Sequence, residues 1–158
     1  MKVILLFLLV LASCSMVRFY QGPALSQELR KNATSLELVA TAVESDFQQK
    51  VTFFSRYQEK GHDSYIKTNL REKLRELEQG KLAVLHQADH LRELNDGLLR
   101  KVADRKVIRE GDPDFMAIES FAGNKDQAVN SLINEYGKYQ RISAEFEKLA
   151  FFTRMVKN

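Results

Sequence analysis

Five aliphatic side chains recur at intervals of seven residues in the middle of the chain, and this repeat constrains the fold more than any other feature. They are Leu70, Leu77, Val84, Leu91 and Leu98. A sustained seven-residue repeat of apolar side chains is typical of helices that pack along a coiled-coil seam, where these residues would occupy the d positions. The corresponding a positions include Lys81 and Asn95, two polar residues of the kind that fix helix register at some cost in stability.

Amphipathic helical patterns lie on both sides of this repeat. The positions before it follow steps of three and four: Leu29, Ala33, Leu36, Ala40, Val43 and Phe47. The positions after it follow the same steps: Val129, Leu132, Tyr136, Tyr139, Ser143, Phe146 and Ala150. Because no segment alternates apolar and polar residues as a half-buried strand does, the pattern predicts an all-α fold. We expect an extended antiparallel three-helix bundle, or a helical hairpin with coiled-coil character.

Local signals place the three helices at about 26–60, 64–109 and 125–156. Ser26 is a suitable N-cap for the first helix, and Gly61 is suited to end it. A break is expected at residues 110–114 and another at Gly123 and Asn124, with a short helical turn between them. Residues 24–158 would then form one helical-bundle domain.

The apolar helical patterns do not decide whether the helices pack within one chain or between two chains. The leucine heptads could drive a parallel homodimer. The first and third helical segments are rich in Phe and Ala and need a large partner within the same chain. We therefore favour an intramolecular bundle, with a protein partner or a further copy of the chain contacting the remaining helical surface.

The first fourteen residues have the composition of an export signal. Lys2 supplies a positive charge, and residues 3–12 are an unbroken apolar run. That run is too short to span a bilayer, which needs about 20 residues. A charged start, a short apolar core and small residues at its end describe a secretory signal instead. The signal ends in Leu11-Ala12-Ser13-Cys14, and Cys14 is the only cysteine of the chain.

This ending resembles the lipobox of bacterial lipoproteins, in which an aliphatic and two small residues precede an obligatory cysteine. The resemblance covers residues 1–14 only. It implies that residues 1–13 are removed and that Cys14 carries S-linked diacylglycerol and an N-linked acyl chain. Residues 14–23 would form the lipidated cysteine and a short tether. Ser15 after the cysteine implies the outer membrane, on its periplasmic side. The alternative is a plain secretory signal, with Asn32 as a glycosylation site on an exposed segment.

The charge balance and the motif content argue against several classes of function. Without residues 1–13 the chain has 23 basic and 21 acidic residues, so it lacks the strong basic face of a nucleic-acid-binding protein. It contains no phosphate-binding glycine loop, nucleophile elbow or zinc-protease helix, and its only thiol belongs to the lipobox. We expect no enzymatic activity and no cofactor beyond the covalent lipid.

His86 and His90 are the only candidate metal ligands with suitable spacing. They are four residues apart, so they could share one helix face. Their heptad positions are f and c, away from the seam, which makes them weak candidates. The leading hypothesis is a lipid-anchored, non-enzymatic envelope scaffold, assembly accessory or interaction subunit. The alternatives are a periplasmic metal- or ligand-binding module that uses these histidines, and a secreted helical protein without lipid.

Overall fold

The fold consists of three long helices and one two-stranded ribbon, in a computed structural model that describes residues 18–59 and 64–155. In chain order the elements are β1 (Phe19–Gln21), α1 (Gly22–Glu59), α2 (Ser64–Val102), β2 (Val107–Arg109) and α3 (Pro113–Met155). The predicted all-α three-helix bundle is confirmed. The small ribbon was not predicted.

The heptad repeat of α2 forms the centre of the bundle. All five predicted d positions are buried, and Leu70, Leu77 and Val84 are fully inaccessible to solvent. The polar a position Asn95 is also buried, and its side-chain amide donates to the backbone oxygen of Leu29 in α1 at 2.7 Å. Lys81 places its ammonium 4.5 Å from the centre of the Phe47 ring, which is a cation–π contact. Both polar interruptions therefore face α1.

Contacts between the helices define their directions. Asn95 near the end of α2 contacts Leu29 near the start of α1, so these helices are antiparallel. Lys73 near the start of α2 pairs with Glu145 near the end of α3 at 2.8 Å, so these helices are antiparallel as well. It follows that α1 and α3 run parallel to each other, with α2 packed closely against both.

The predicted end of the second helix is wrong. The α-helix ends at Val102 instead of residue 109, and the last three residues of the expected helix form β2. The Arg105 N–H donates to the Val102 carbonyl at 3.2 Å in the turn that follows the helix. Backbone groups of residues 107–109 then pair with β1, a partner distant in sequence that a helical period cannot reveal.

The predicted breaks before the third helix are also wrong in part. A turn does occupy residues 110–112, but α3 then runs without interruption from Pro113 through Gly123 and Asn124. The interior glycine costs roughly 1 kcal/mol of helix propensity. Burial of Ile118 before it and Ala128 after it outweighs this cost, because both residues lie on the packed face.

The start of the first helix differs from the prediction as well. It begins at Gly22, with Pro23 in the first turn, so Ser26 is a buried residue inside the helix rather than its N-cap. Proline is favoured in a first turn because its missing N–H has no intrahelical partner there. Asn32 is only 8% exposed within the same helix, which contradicts the exposed segment expected for a glycosylation site.

Candidate functional site: the ribbon

The two short strands bring the start of the described chain onto the connection between α2 and α3. They pair antiparallel, with Phe19 opposite Arg109, Tyr20 opposite Ile108 and Gln21 opposite Val107. We call this pair of strands the ribbon. Because side chains alternate along a strand, Tyr20 and Ile108 share one face and the other four residues share the opposite face.

The inner face of the ribbon closes one end of the core. Ile108 is fully buried, and the ring of Tyr20 lies 5.2 Å from that of Phe115 at the start of α3. Both strands pack on a cluster of buried side chains from all three helices: Leu29, Leu98, Val102, Phe115 and Ile118. Complete burial of an aliphatic side chain stabilises a fold by about 1.5–3 kcal/mol. The ribbon is therefore part of the folded body.

The outer face of the ribbon is apolar and basic and points to solvent. Phe19 is 56% exposed and Val107 is 46% exposed. Gln21 and Arg109 share this face, and both are exposed. Phe19 and Val107 occupy diagonal positions of the antiparallel pair, where side chains are about 7–8 Å apart and within reach of an aromatic ring.

Hydrogen bonds hold the ribbon at both of its ends. The Glu110 N–H donates to the Arg18 carbonyl at 3.1 Å, and the Arg18 guanidinium pairs with Glu119 at the same distance. At the other end, the Gly22 N–H donates to the Lys106 carbonyl at 3.3 Å. Of the short tether predicted over residues 14–23, residues 18–23 therefore belong to the folded body, in the ribbon and the first turn of α1. Cys14 lies outside the described residues.

An ion-pair cluster fixes the turn beside the ribbon. The Arg105 guanidinium contacts Asp112 and Asp114, each at 2.9 Å. The hydrogen bond with Asp114, together with the charges of both carboxylates, raises the pKa of Arg105 above its usual value. Gly111 adopts a φ of 93° in this turn, a conformation that favours glycine. These contacts set the direction in which α3 leaves the ribbon.

Two cations of the ribbon region remain exposed to solvent. Lys106 and Arg109 form no ion pair or side-chain hydrogen bond with any side chain in the described part of the chain. Over residues 100–114 the chain has five basic and four acidic residues, and two of the acidic ones pair with Arg105. The outer face therefore combines exposed apolar side chains with the unpaired cation Arg109, and the unpaired Lys106 directly precedes the strand.

A second polar cluster lies between α1 and α3, away from the ribbon. The Asp46 carboxylate accepts from the Tyr139 hydroxyl at 2.7 Å, from Ser143 at 3.2 Å and from the Lys50 ammonium at 2.5 Å. Lys50 is only 5% exposed and also pairs with Glu147. Asp46, Tyr139 and Ser143 line a hollow of about 160 Å³.

The cluster between α1 and α3 has perturbed protonation equilibria. Partial burial alone would raise the pKa of Asp46, but the hydrogen bonds from Lys50 and Tyr139 outweigh it and hold the pKa below its usual value. Burial, followed by the hydrogen bond to Asp46, raises the pKa of Tyr139. The carboxylate is thus ionised and already has three donors, so the cluster joins two helices rather than presenting a reactive group.

The histidines do not converge with other ligands. His86 and His90 are exposed on the surface of α2. No group of three or more His, Cys, Asp or Glu side chains in residues 18–59 and 64–155 has the geometry to hold a metal ion. His62 lies outside the described residues, as Cys14 does.

The ribbon was missed by sequence reasoning, although weak signals for it exist. Residues 107–109 contain two β-branched residues, and residues 19–20 are aromatic, which are both favourable compositions for strands. Three-residue strands are too short to show a period of two. Across residues 18–59 and 64–155, none of the helices is both long and apolar enough to cross a membrane. Neither family models nor curated proteins nor solved structures gave a match to this chain.

Proposed function

We propose that this protein is a lipid-anchored lipoprotein of the bacterial envelope, with a helical body that acts as a non-enzymatic scaffold, assembly accessory or interaction subunit. The observation that carries the proposal is the lipobox-like sequence Leu11-Ala12-Ser13-Cys14, which places a modifiable thiol just before the folded body. In this proposal, the anchor holds the body on the periplasmic side of the outer membrane.

The physical basis of the anchor is the burial of acyl chains. Each buried methylene contributes about 0.8 kcal/mol, and two or more chains give stable attachment. Diacylglycerol on the thiol and an acyl chain on the amino group of Cys14 would supply this.

The shape of the body favours a scaffold over a catalyst. At 1.5 Å per residue, the 39 residues of α2 extend about 58 Å, and α1 and α3 run beside them. The seam that the heptad repeat of α2 forms is buried against α1 and α3 within one chain. This supports a body that is a monomer and that meets partners through side chains outside the seam.

The decisive experiment is mass spectrometry of the amino terminus of the full chain produced in a bacterium. We expect the mature protein to start at Cys14 with the mass of diacylglyceryl and acyl groups added, and to fractionate with membranes. The Cys14→Ser variant removes the thiol while conserving shape, and we expect it to lose both the added mass and the membrane fraction. An unmodified cysteine in the wild-type protein would refute the anchor.

Sedimentation of the purified lipidated chain in detergent tests the proposed monomer. The buried seam predicts one chain in each detergent-bound particle. A stable dimer at low protein concentration would contradict the intramolecular use of the seam. It would favour the homodimer that the leucine repeat also permits.

A further inference from the structure

The position of the ribbon limits how far the body can stand from an anchor at Cys14. Only residues 15–17 separate Cys14 from Arg18, whose carbonyl is hydrogen bonded to Glu110. Four residue steps of extended chain span at most about 14 Å. A lipid on Cys14 would therefore keep the ribbon within or next to the headgroup layer.

The outer face of the ribbon has the chemistry of a surface that contacts lipid headgroups. Phenylalanine is among the apolar side chains that segments lying in the membrane interface bury at the boundary between headgroups and acyl chains. Phe19 is more than half exposed, although it lies on a folded strand beside the exposed Val107. Exposed aromatic and aliphatic side chains at this position lose unfavourable contact with water when they enter the interface.

The exposed cations of the same region complement an anionic lipid surface. Lys106 precedes β2, and Arg109 is its last residue. Neither side chain is engaged by a carboxylate among the described residues, whereas Arg18 and Arg105 are both paired. Each basic residue near an anionic bilayer contributes about 1 kcal/mol, which corresponds to about a fivefold gain in partitioning.

We propose that the outer face of the ribbon, formed by Phe19, Val107 and Arg109, together with the exposed Lys106 that precedes β2, binds the headgroup layer of an anionic phospholipid bilayer. The inference rests on the proposed lipid anchor at Cys14 and adds a second, noncovalent contact to it. The lipid and the ribbon together would orient the body on the membrane. The first turns of α1 and α3, which adjoin the ribbon, would face the bilayer.

The chain contains no tryptophan, so a single introduced indole reports its own surroundings. The experiment uses the lipidated full chain carrying Phe19→Trp, reconstituted into vesicles of phosphatidylethanolamine and phosphatidylglycerol with or without brominated acyl chains. We expect brominated lipid to quench the indole emission, because tryptophan rings favour the membrane interface. The matched control is Leu82→Trp, since Leu82 is also exposed, at 58%, but lies on α2 about 30 Å along the helix from Val102. Its emission should not change.

The role of charge is measured on the same Phe19→Trp chain. Lys106→Gln and Arg109→Gln together should reduce the quenching, as should replacement of phosphatidylglycerol by phosphatidylcholine. Val107→Trp gives a second reporter on the same face if Phe19→Trp does not fold. Equal quenching with neutral and anionic lipid would overturn the assignment of these cations to the bilayer.

The outcomes separate the inference from the proposed function. Mass spectrometry first establishes whether Cys14 is lipidated. A lipidated chain whose ribbon tryptophan is not quenched overturns the inference and leaves the anchor in place. Equal quenching of the ribbon and Leu82 reporters overturns it as well, because the body would then lie flat on the bilayer. An unlipidated chain overturns the anchor and the inference together.

Discussion

Gly22, the first residue of α1, lies against the backbone of the turn before β2. Its replacement by alanine tests the packing of the ribbon. A Cβ atom at this position would lie 1.8 Å from the Arg105 carbonyl oxygen and 2.8 Å from its carbonyl carbon. Both are backbone atoms, so no side-chain rotation can relieve the overlap. The ribbon must move away from the start of α1 to accommodate the methyl group.

The cost of that movement follows from the contacts that would be lost. The hydrogen bond from the Gly22 N–H to Lys106 contributes about 1 kcal/mol. Ile108 is fully buried, and complete burial of such a side chain contributes about 1.5–3 kcal/mol. Partial exposure of Ile108 would lose part of this contribution. Alanine regains up to about 1 kcal/mol of helix propensity. The net loss is about 2 kcal/mol, which lowers Tm by roughly 4–8 °C for a chain of this size.

The assay is thermal unfolding of the purified full chain, followed by far-UV circular dichroism. Gly97→Ala is the matched control, because Gly97 lies inside α2 with open space around its Cβ position. The same substitution there should stabilise the protein by about 1 kcal/mol and raise Tm by roughly 2–4 °C. A Gly22→Ala protein as stable as the wild type would show that the ribbon does not pack on α1 as described.

Two further substitutions test the core and the polar cluster. Leu77→Ala should lower the free energy of unfolding by about 2–5 kcal/mol, because Leu77 is fully buried. Leu82→Ala, at an exposed site, should change it by less than about 0.5 kcal/mol. Chemical denaturation measures both, and similar effects would contradict the burial of the heptad d positions. Asp46→Asn should destabilise the protein by about 1–3 kcal/mol at pH 7, because it leaves the buried Lys50 ammonium with Glu147 alone. Since the pKa of Asp46 is lower in the folded state, its stabilisation is complete above the ordinary Asp pKa of about 4 and is lost as the pH falls further. Denaturation at several pH values should therefore show the variant and the wild type converging in acid, and a constant difference would refute this assignment.

The sequence predicts the interior of α2 well because its repeat is local and regular. Every d position of the repeat is buried, and Asn95 and Lys81 both face α1, as polar residues in a seam should. The partners of those residues could not be predicted, because a period indicates which face of a helix is buried without indicating what covers it. The contact between Tyr139 and Asp46 is an example, since it depends on how far α1 and α3 are shifted relative to each other along the bundle axis.

The ends of the helices were predicted poorly because tertiary contacts decide them. Helix propensity favours continuing α2 past Val102, but strand pairing with β1 competes for the backbone groups of residues 107–109. Gly123 and Asn124 are weak helix formers, yet the packed residues on both sides keep α3 continuous. The aromatic residues near the start and the basic residues of 100–109 were both visible in the sequence. Only the ribbon places them on one surface.

The ribbon also sets an order of events during folding. Each helix packs against its neighbour in sequence, so the α1–α2 and α2–α3 contacts nearest each connection close short loops, which form rapidly. The pairing of Phe19 with Arg109 instead closes a loop that contains all of α1 and α2, at a larger entropic cost. In a chain synthesised from its amino terminus, β1 is made long before β2. Tyr20 therefore cannot pair with Ile108 until residues 107–109 have been synthesised. We therefore expect docking of the first strand to be a late step, and burial of Tyr20 would report completion of the fold.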